Sequence, residues 1–359
     1  MAALRITNTH IHTFTAAHVP RYYPHPALYV FKRVPGLVRG LAWLLRVAGH
    51  PAAETLERLL QFQKEAYRGG QAEIFASVRR QYPPDTRFVV LPMDMAPIGH
   101  GPVEADIEAQ HDELSRLARS DAFRGSVIPF ASIHPDRPGA AAEVRRVVER
   151  LHFRGLKLYP RLGFPPDHPV LMNEIYPFLV EHDLPVMSHC SRGGVRGRDV
   201  SVHAADRFTE PAAFIPVMRK FPDLRICLAH LGGVEDWRRY AEDGIDPDDP
   251  AARAANWQVA IRDMITSGDW PNLWTDISYT LFRFEENIAF LRLFLSGGAR
   301  AEALSRRVLF GSDFYMTRQE ALSERAVCFR LRNALGEETF RRIAETNPEI
   351  WLGERGGDA

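Results

Sequence analysis

His10 and His12 close the run Ile6-Thr-Asn-Thr-His-Ile-His12 near the start of the chain. The run opens with β-branched residues and reads as a strand. Period-two alternation then puts both imidazoles on one face and Ile11 on the other. Two neutral imidazoles side by side can hold one divalent metal ion, although the same spacing suits a solvated or core-satisfied pair. Later residues tip that balance: Lys157 with Tyr159, His189, His230 and Asp313 each close another apolar run. Core histidines scattered at random would not keep falling at the same end of successive strands, so the set is expected to form a metal site.

The elements that must position these residues alternate regularly. After the first strand, strands are expected at Arg87–Asp94, Gly125–Ile133, Phe153–Tyr159, Leu184–His189, Leu224–His230, Leu273–Tyr279 and Arg307–Asp313. Between and after them, helices are expected at Glu104–Ser120, Pro138–Leu151, Pro169–His182, Thr209–Phe221 with Thr209 as N-cap, near Ala251 to Ser267, Glu285–Leu295, Arg318–Leu335 and Glu337–Ala344. Eight apolar strands, each followed by helical sequence, predict an α/β fold whose parallel sheet closes into a (β/α)8 barrel, with the site at the C-terminal strand ends. An open doubly wound sheet is the alternative, but no glycine-rich phosphate loop follows the first strand. A single domain over residues 1–359 is expected, with residues 13–82 as an insertion. That insertion holds an aromatic, basic stretch from His18 to Lys32 and helical periodicity at Leu37–Val47 and Glu54–Gln81. It suits a lid over the strand ends or, equally, a brace or subunit contact.

The 359 residues are 45% hydrophobic and 25% charged, enough for one large core, and 45 basic residues balance 45 acidic ones. Neither nucleic acid nor an anionic membrane is favoured as partner, so a small-molecule substrate is the default. Three cysteines, Cys190, Cys227 and Cys328, have no metal-type spacing and fit a reducing compartment. A cytoplasmic location is expected: no secretory signal is visible, and the apolar stretch Leu37–Gly49 is too short to cross a bilayer.

Five stretches resemble the amidohydrolase superfamily, metal-dependent TIM-barrel hydrolases, and within it amidohydrolase family 2. They are Thr9-His-Ile-His12, Phe153-Arg-Gly-Leu-Lys-Leu-Tyr-Pro160, Pro185-Val-Met-Ser-His-Cys190, Leu228-Ala-His-Leu-Gly-Gly233 and Leu309-Phe-Gly-Ser-Asp313. The resemblance implies that His10, His12, His189 and Asp313 coordinate a divalent metal, usually zinc, and that His230 is a ligand or a catalytic histidine. A cation placed there lowers the pKa of bound water from 15.7 to about 7. The expected reaction is attack of that water on a carbonyl carbon, with Asp313 taking the proton and returning it to the leaving group.

Lys157 allows three readings. A desolvated amine can be carboxylated to bridge two metals, an arrangement the superfamily resemblance includes, with His189 and His230 on the second ion. It can instead stay an ammonium that binds an anionic substrate, or pair with a carboxylate such as Asp276 or Asp94. Around the expected mouth, Tyr159, Arg161, Arg192, Tyr279 and Arg283 are candidates for substrate contact, and the three arginines of Ser191–Arg198 suit a carboxylate or phosphate. Cys190, Cys227 and the tryptophans Trp237, Trp257, Trp270 and Trp274 read as packing, and His134 as a turn cap beside Pro135.

The first expectation for function is a hydrolase acting on an amide, lactone or ester of a small polar or anionic molecule. The resemblance also includes metal-dependent non-oxidative decarboxylases of aromatic or unsaturated acids, against which Lys157 weighs. A third class is a non-catalytic barrel that keeps the metal as a structural staple or acts as a binding and assembly subunit; intact His10, His12, His189, His230 and Asp313 argue against it. The apolar insertion suits a homodimer contact.

Overall fold

The computed structural model describes residues 4–23, 26, 66, 69–246, 248–278, 284–319 and 323–355. Most of the 13–82 insertion, including the Leu37–Val47 segment, and Tyr279 and Arg283 lie outside the described residues.

Among the described residues, nine short strands run parallel in chain order: β1 (Thr7–Ile11), β2 (Arg87–Val90), β3 (Val127–Pro129), β4 (Ala131–Ser132), β5 (Leu156–Leu158), β6 (Val186–Ser191), β7 (Ile226–Gly232), β8 (Leu273–Asp276) and β9 (Val308–Leu309). Each pairs with the next except at β3–β4, where the expected third strand is divided at Phe130. There the chain changes partner: Phe130 N donates to Val90 O (3.2 Å) and Ala131 N to Gly155 O (2.8 Å). At the other end, Thr9 N donates to Phe310 O and Asp313 N to His10 O, both at 2.8 Å, joining the segment after β9 to β1. The architecture is that of a TIM barrel.

Period-two alternation sorts the side chains into two cores. A large outer cluster packs strand residues such as Ile11, Leu156, Leu158, Val186 and Ile226 against the helices. A smaller inner cluster gathers Val89, Phe130, Met187, Cys227, Trp274 and Leu309, and is sealed by Trp351 and Leu352 from the last helix, Asn347–Trp351. On β6 and β8 the residue two positions beyond an inner-cluster side chain is a site residue: Met187 precedes His189, and Trp274 precedes Asp276. Trp274 is therefore barrel filling.

The helices depart from expectation where proline intervenes. Helix 169–182 contains a π turn, Leu171–Ile175, just before Pro177, whose missing N–H disrupts the regular ladder. Thr209 does not cap the following helix. It ends the helix Val202–Thr209, capped by Ser201, and Pro211 starts a separate turn. The region near Ala251 to Ser267 is two helices, Pro250–Ala255 and Trp257–Ser267, divided at Asn256, whose side chain caps the second. Helical segments that the sequence reading passed over, among them Val202–Thr209, Gly233–Glu242, Gly298–Ser305, Phe314–Gln319 and Asn347–Trp351, complete the layer. Among the described residues, no helix is long and apolar enough to cross a membrane.

Candidate metal centre

His10, His12, Lys157, Tyr159, His189, His230 and Asp313 come together at the C-terminal ends of the strands. The ring centroids of His10 lie 5.2 Å from His12 and 4.9 Å from His230, and those of His189 and His230 are 4.8 Å apart. Ligand atoms of His10, His12 and Asp313 all fall within 4.8 Å of one another, and all three residues are buried. Two imidazoles and a carboxylate at that spacing fit a divalent first-row ion, and they leave coordination positions for other ligands.

Local backbone irregularities aim these side chains. Simple alternation from the inner-facing Cys227 and Ala229 would turn His230 outward. Between β6 and β7, however, the register runs His189↔Ala229 and then Ser191↔Gly232, so β7 carries an extra residue. That bulge, with His230 at φ +77° and Leu231 at φ +40°, turns the imidazole into the cluster. Asp313 is also left-handed, at φ +49°. Such conformations cost non-glycine residues free energy and persist where surrounding bonds over-determine them. Here His230 N donates to Asp276 Oδ1 (2.9 Å), and Asp313 N is tied to His10 O. Gly311 permits the approach of the last strand to the first, since a Cβ there would lie 2.6 Å from His10 Cβ.

The electrostatics favour neutral imidazoles, which is the ligating form. Burial, and next the Lys157 charge, hold His10 well below its ordinary pKa and bring His12 and His189 to about 3; burial and His189 lower His230. Burial lowers the Lys157 amine to about 8 and lifts the Asp313 carboxyl to about 7. His12 Nδ1 donates to Leu91 O (2.8 Å), which leaves Nε2 for a ligand, 3.6 Å from Asp313 Oδ1. His230 Nε2 and His189 Nδ1 are 3.0 Å apart.

Lys157 is fully buried, with Nζ 3.4 Å from His10 Nε2 and 5.0 Å from the centre of the Tyr159 ring. The third reading of Lys157, a pairing with Asp276 or Asp94, is not found among the described residues. Asp94 binds Arg137 through two 2.9 Å bonds, and Asp276 binds His10 Nδ1 at 2.7 Å. Arg161 is buried and paired with Asp206, and its charge contributes to lowering His189. Arg192 is occupied elsewhere: it bonds Asp236 (3.1 Å) and Ala255 O (3.0 Å) and lies over Trp257. His134 accepts from Asp136 N at 3.3 Å, the turn-capping role expected of it. Cys190 and Cys227 are buried free thiols.

Asp276 and Ser278 are site residues that the sequence reading did not assign. Asp276 completes a second close trio with His10 and His230. Its oxygens already accept from His10 Nδ1, His230 N, Ser278 N (3.0 Å) and Ser278 Oγ (2.5 Å), an orienting role that leaves little room for a cation. The available signal is its position: the observed strand ends at Asp276, three residues short of the expected Leu273–Tyr279, which makes Asp276 a strand-end residue like the other site residues.

The amidohydrolase family model matches residues 63–353, and the chain belongs to that family, amidohydrolase family 2. No curated protein matches the sequence. Among solved structures, it is similar to an uncharacterized TIM-barrel protein from Bordetella bronchiseptica, with 18% identity and TM-score 0.55 over 98% of this chain and 99% of the other. A 5-carboxyvanillate decarboxylase from Novosphingobium aromaticivorans with bound manganese gives 15% identity and TM-score 0.56, over 98% and 97% of the two chains. A probable 2-pyrone-4,6-dicarboxylic acid hydrolase from Acinetobacter baumannii gives 13% identity and TM-score 0.54, over 97% and 99%. At these identities the likeness establishes the fold, and the similar structures include one named as a decarboxylase and one named as a probable hydrolase.

Proposed function

We propose that the protein is a metal-dependent hydrolase that cleaves an amide, lactone or ester bond in a small polar or anionic molecule. The observation that carries this reading is the Lys157 amine buried against the ligand set, 3.4 Å from His10 Nε2 with its pKa lowered to about 8. An ammonium there would oppose a dication on the same imidazole, so metal loading favours the neutral amine. A neutral amine can take up carbon dioxide as a carbamate, releasing a proton, and so add a bridging carboxylate. His10, His12 and Asp313 would hold the first ion, and the carbamate with His189 and His230 the second.

Imidazole and carboxylate donors suit zinc, the ion to test first, and manganese. When bound, the metal polarises a carbonyl oxygen and makes water acidic. The chain supplies the rest. Asp313, whose carboxyl burial lifts in the metal-free protein, is the carboxylate placed to take a proton and give it back. Burial keeps the Tyr159 hydroxyl protonated, and it stands 3.4 to 3.5 Å from the His12 ring nitrogens as a donor toward developing negative charge. Arg161 Nε has no partner among the described residues and suits a substrate carboxylate.

The decarboxylase reading has one observation on its side: two buried cationic groups, Lys157 and Arg161, stand near the ligands as a carboxylic acid substrate would require. Metal per chain on protein prepared with 13C-labelled bicarbonate separates the two. Two ions, a carbamate carbon resonance and turnover of lactones, amides or esters are expected. One ion, a plain amine and carbon dioxide release from aromatic or unsaturated acids would replace the hydrolase with the lyase.

A further inference from the structure

The Ser278 hydroxyl has one proton and three polar contacts, the longest to His10 Nδ1 at 3.3 Å, and the two shorter ones decide where that proton goes. Asp276 Oδ1, at 2.5 Å, is a carboxylate oxygen and accepts, so Ser278 donates to it. The hydroxyl oxygen must then accept from His230 Nδ1, 2.8 Å away. His230 therefore carries its proton on Nδ1 and leaves Nε2 unprotonated, facing His189 Nδ1 at 3.0 Å. The other oxygen of Asp276, Oδ2, accepts from His10 Nδ1 at 2.7 Å, which leaves Nε2 of His10 unprotonated in the same way, with Lys157 Nζ 3.4 Å from it. One carboxylate thus directs two imidazoles, the first directly and the second through a hydroxyl. Its remaining contacts, from the backbone N–H groups of His230 and Ser278, fix the carboxylate itself.

We propose that Asp276 and Ser278 are positioning residues that set the tautomers of His10 and His230, so that both rings offer Nε2 to the metal centre. This rests on the metal-site half of the proposed function and not on the reaction assigned to it. Ser278 acts at one remove, through a ring rather than through substrate, and removing its hydroxyl should alter the His230 proton position while leaving His10 Nδ1 on Asp276.

The test is nitrogen NMR of metal-free protein labelled with 15N in the histidine rings, with signals assigned by their loss in His10→Gln and His230→Gln. The wild type is expected to show both rings protonated at Nδ1. In Ser278→Ala, His230 should shift toward the Nε2-protonated form, and affinity for zinc or manganese, measured by chelator competition, should fall about 10- to 100-fold. Ser278→Thr, which keeps the hydroxyl, should restore both. Asp276→Asn introduces an amide donor against groups that already donate, so both rings should respond. A wild-type His230 protonated at Nε2 overturns the proposal even if no variant folds. So does Ser278→Ala with unchanged tautomer and metal affinity. If the tautomers and affinities behave as expected but no ester, lactone or amide is turned over, the positioning role stands and the hydrolase reading falls.

Discussion

Lys157 Nζ stands 3.4 Å from His10 Nε2, and among the described residues no carboxylate pairs with it. The distance makes the lysine's charge state part of metal binding. Lys157→Arg installs a cation that cannot be neutralised in a protein. It is expected to lower metal content after dialysis and to reduce kcat/KM by at least about 100-fold, an order typical of losing one catalytic group. Lys157→Met should retain one ion per chain. An arginine variant that loads as much metal as the wild type would show that the amine does not need to be neutral.

Asp313→Asn keeps the size of the side chain and removes its capacity to take a proton. Circular dichroism should be unchanged, while turnover of the metal-loaded protein should fall by roughly 100- to 10,000-fold. Normal activity in this variant would remove Asp313 from the chemistry.

Metal-free protein should lose stability as the pH falls from about 7.5 to about 5.5. Burial holds His10 and His230 well below their ordinary range and His12 and His189 at about 3, so these rings stay neutral when folded. The unfolded chain protonates them on passing about 6.5, binding more protons than the folded state, and each ring withdraws about 1.4 kcal/mol over that interval. Asp313 works oppositely: its folded carboxyl, raised to about 7, holds a proton that the unfolded one releases near 4, which favours the fold on the acid side. Four imidazoles outweigh one carboxyl. A urea midpoint that is equal or higher at the lower pH would contradict this balance.

Trp351 fills the base of the barrel beside Phe130, with ring centroids 5.5 Å apart, and is fully buried. Truncation to alanine should cost about 3 to 5 kcal/mol. Because the plug packs among inner-cluster side chains and touches no ligand, metal stoichiometry in the folded fraction should be that of the wild type. Denaturant unfolding paired with metal analysis distinguishes this from a variant that also empties the site.

The alternating order of strands and helices was legible because parallel strands buried on both faces read as apolar runs, and the ligands announced themselves by closing those runs. His10 and His12 also follow from alternation alone, with Ile11 packed on the opposite side in the outer core. His230 does not. Its inward aim depends on the β7 bulge, and register against a neighbouring strand is a tertiary property that one chain segment does not encode. Arg192 looked free in sequence because Asp236, its buried partner, lies 44 residues away. Asp276 was visible as a carboxylate within an expected strand, but its four donors come from His10, His230 and Ser278, and only their meeting separates an orienting group from a ligand. The split of the third strand at Phe130 and the π turns before Pro177 and Pro348 likewise come from competition for backbone partners.

The bond from Asp313 N to His10 O joins positions 303 residues apart in sequence, and Asn8 reinforces the seam by donating to Ser312 Oγ at 2.8 Å. A chain emerging from the ribosome can therefore form most of its βα units before it can assemble the ligand trio. Metal capture becomes a late event in synthesis, and a product broken off before Asp313 should be unable to hold the ion, making retention of metal a test of completed folding.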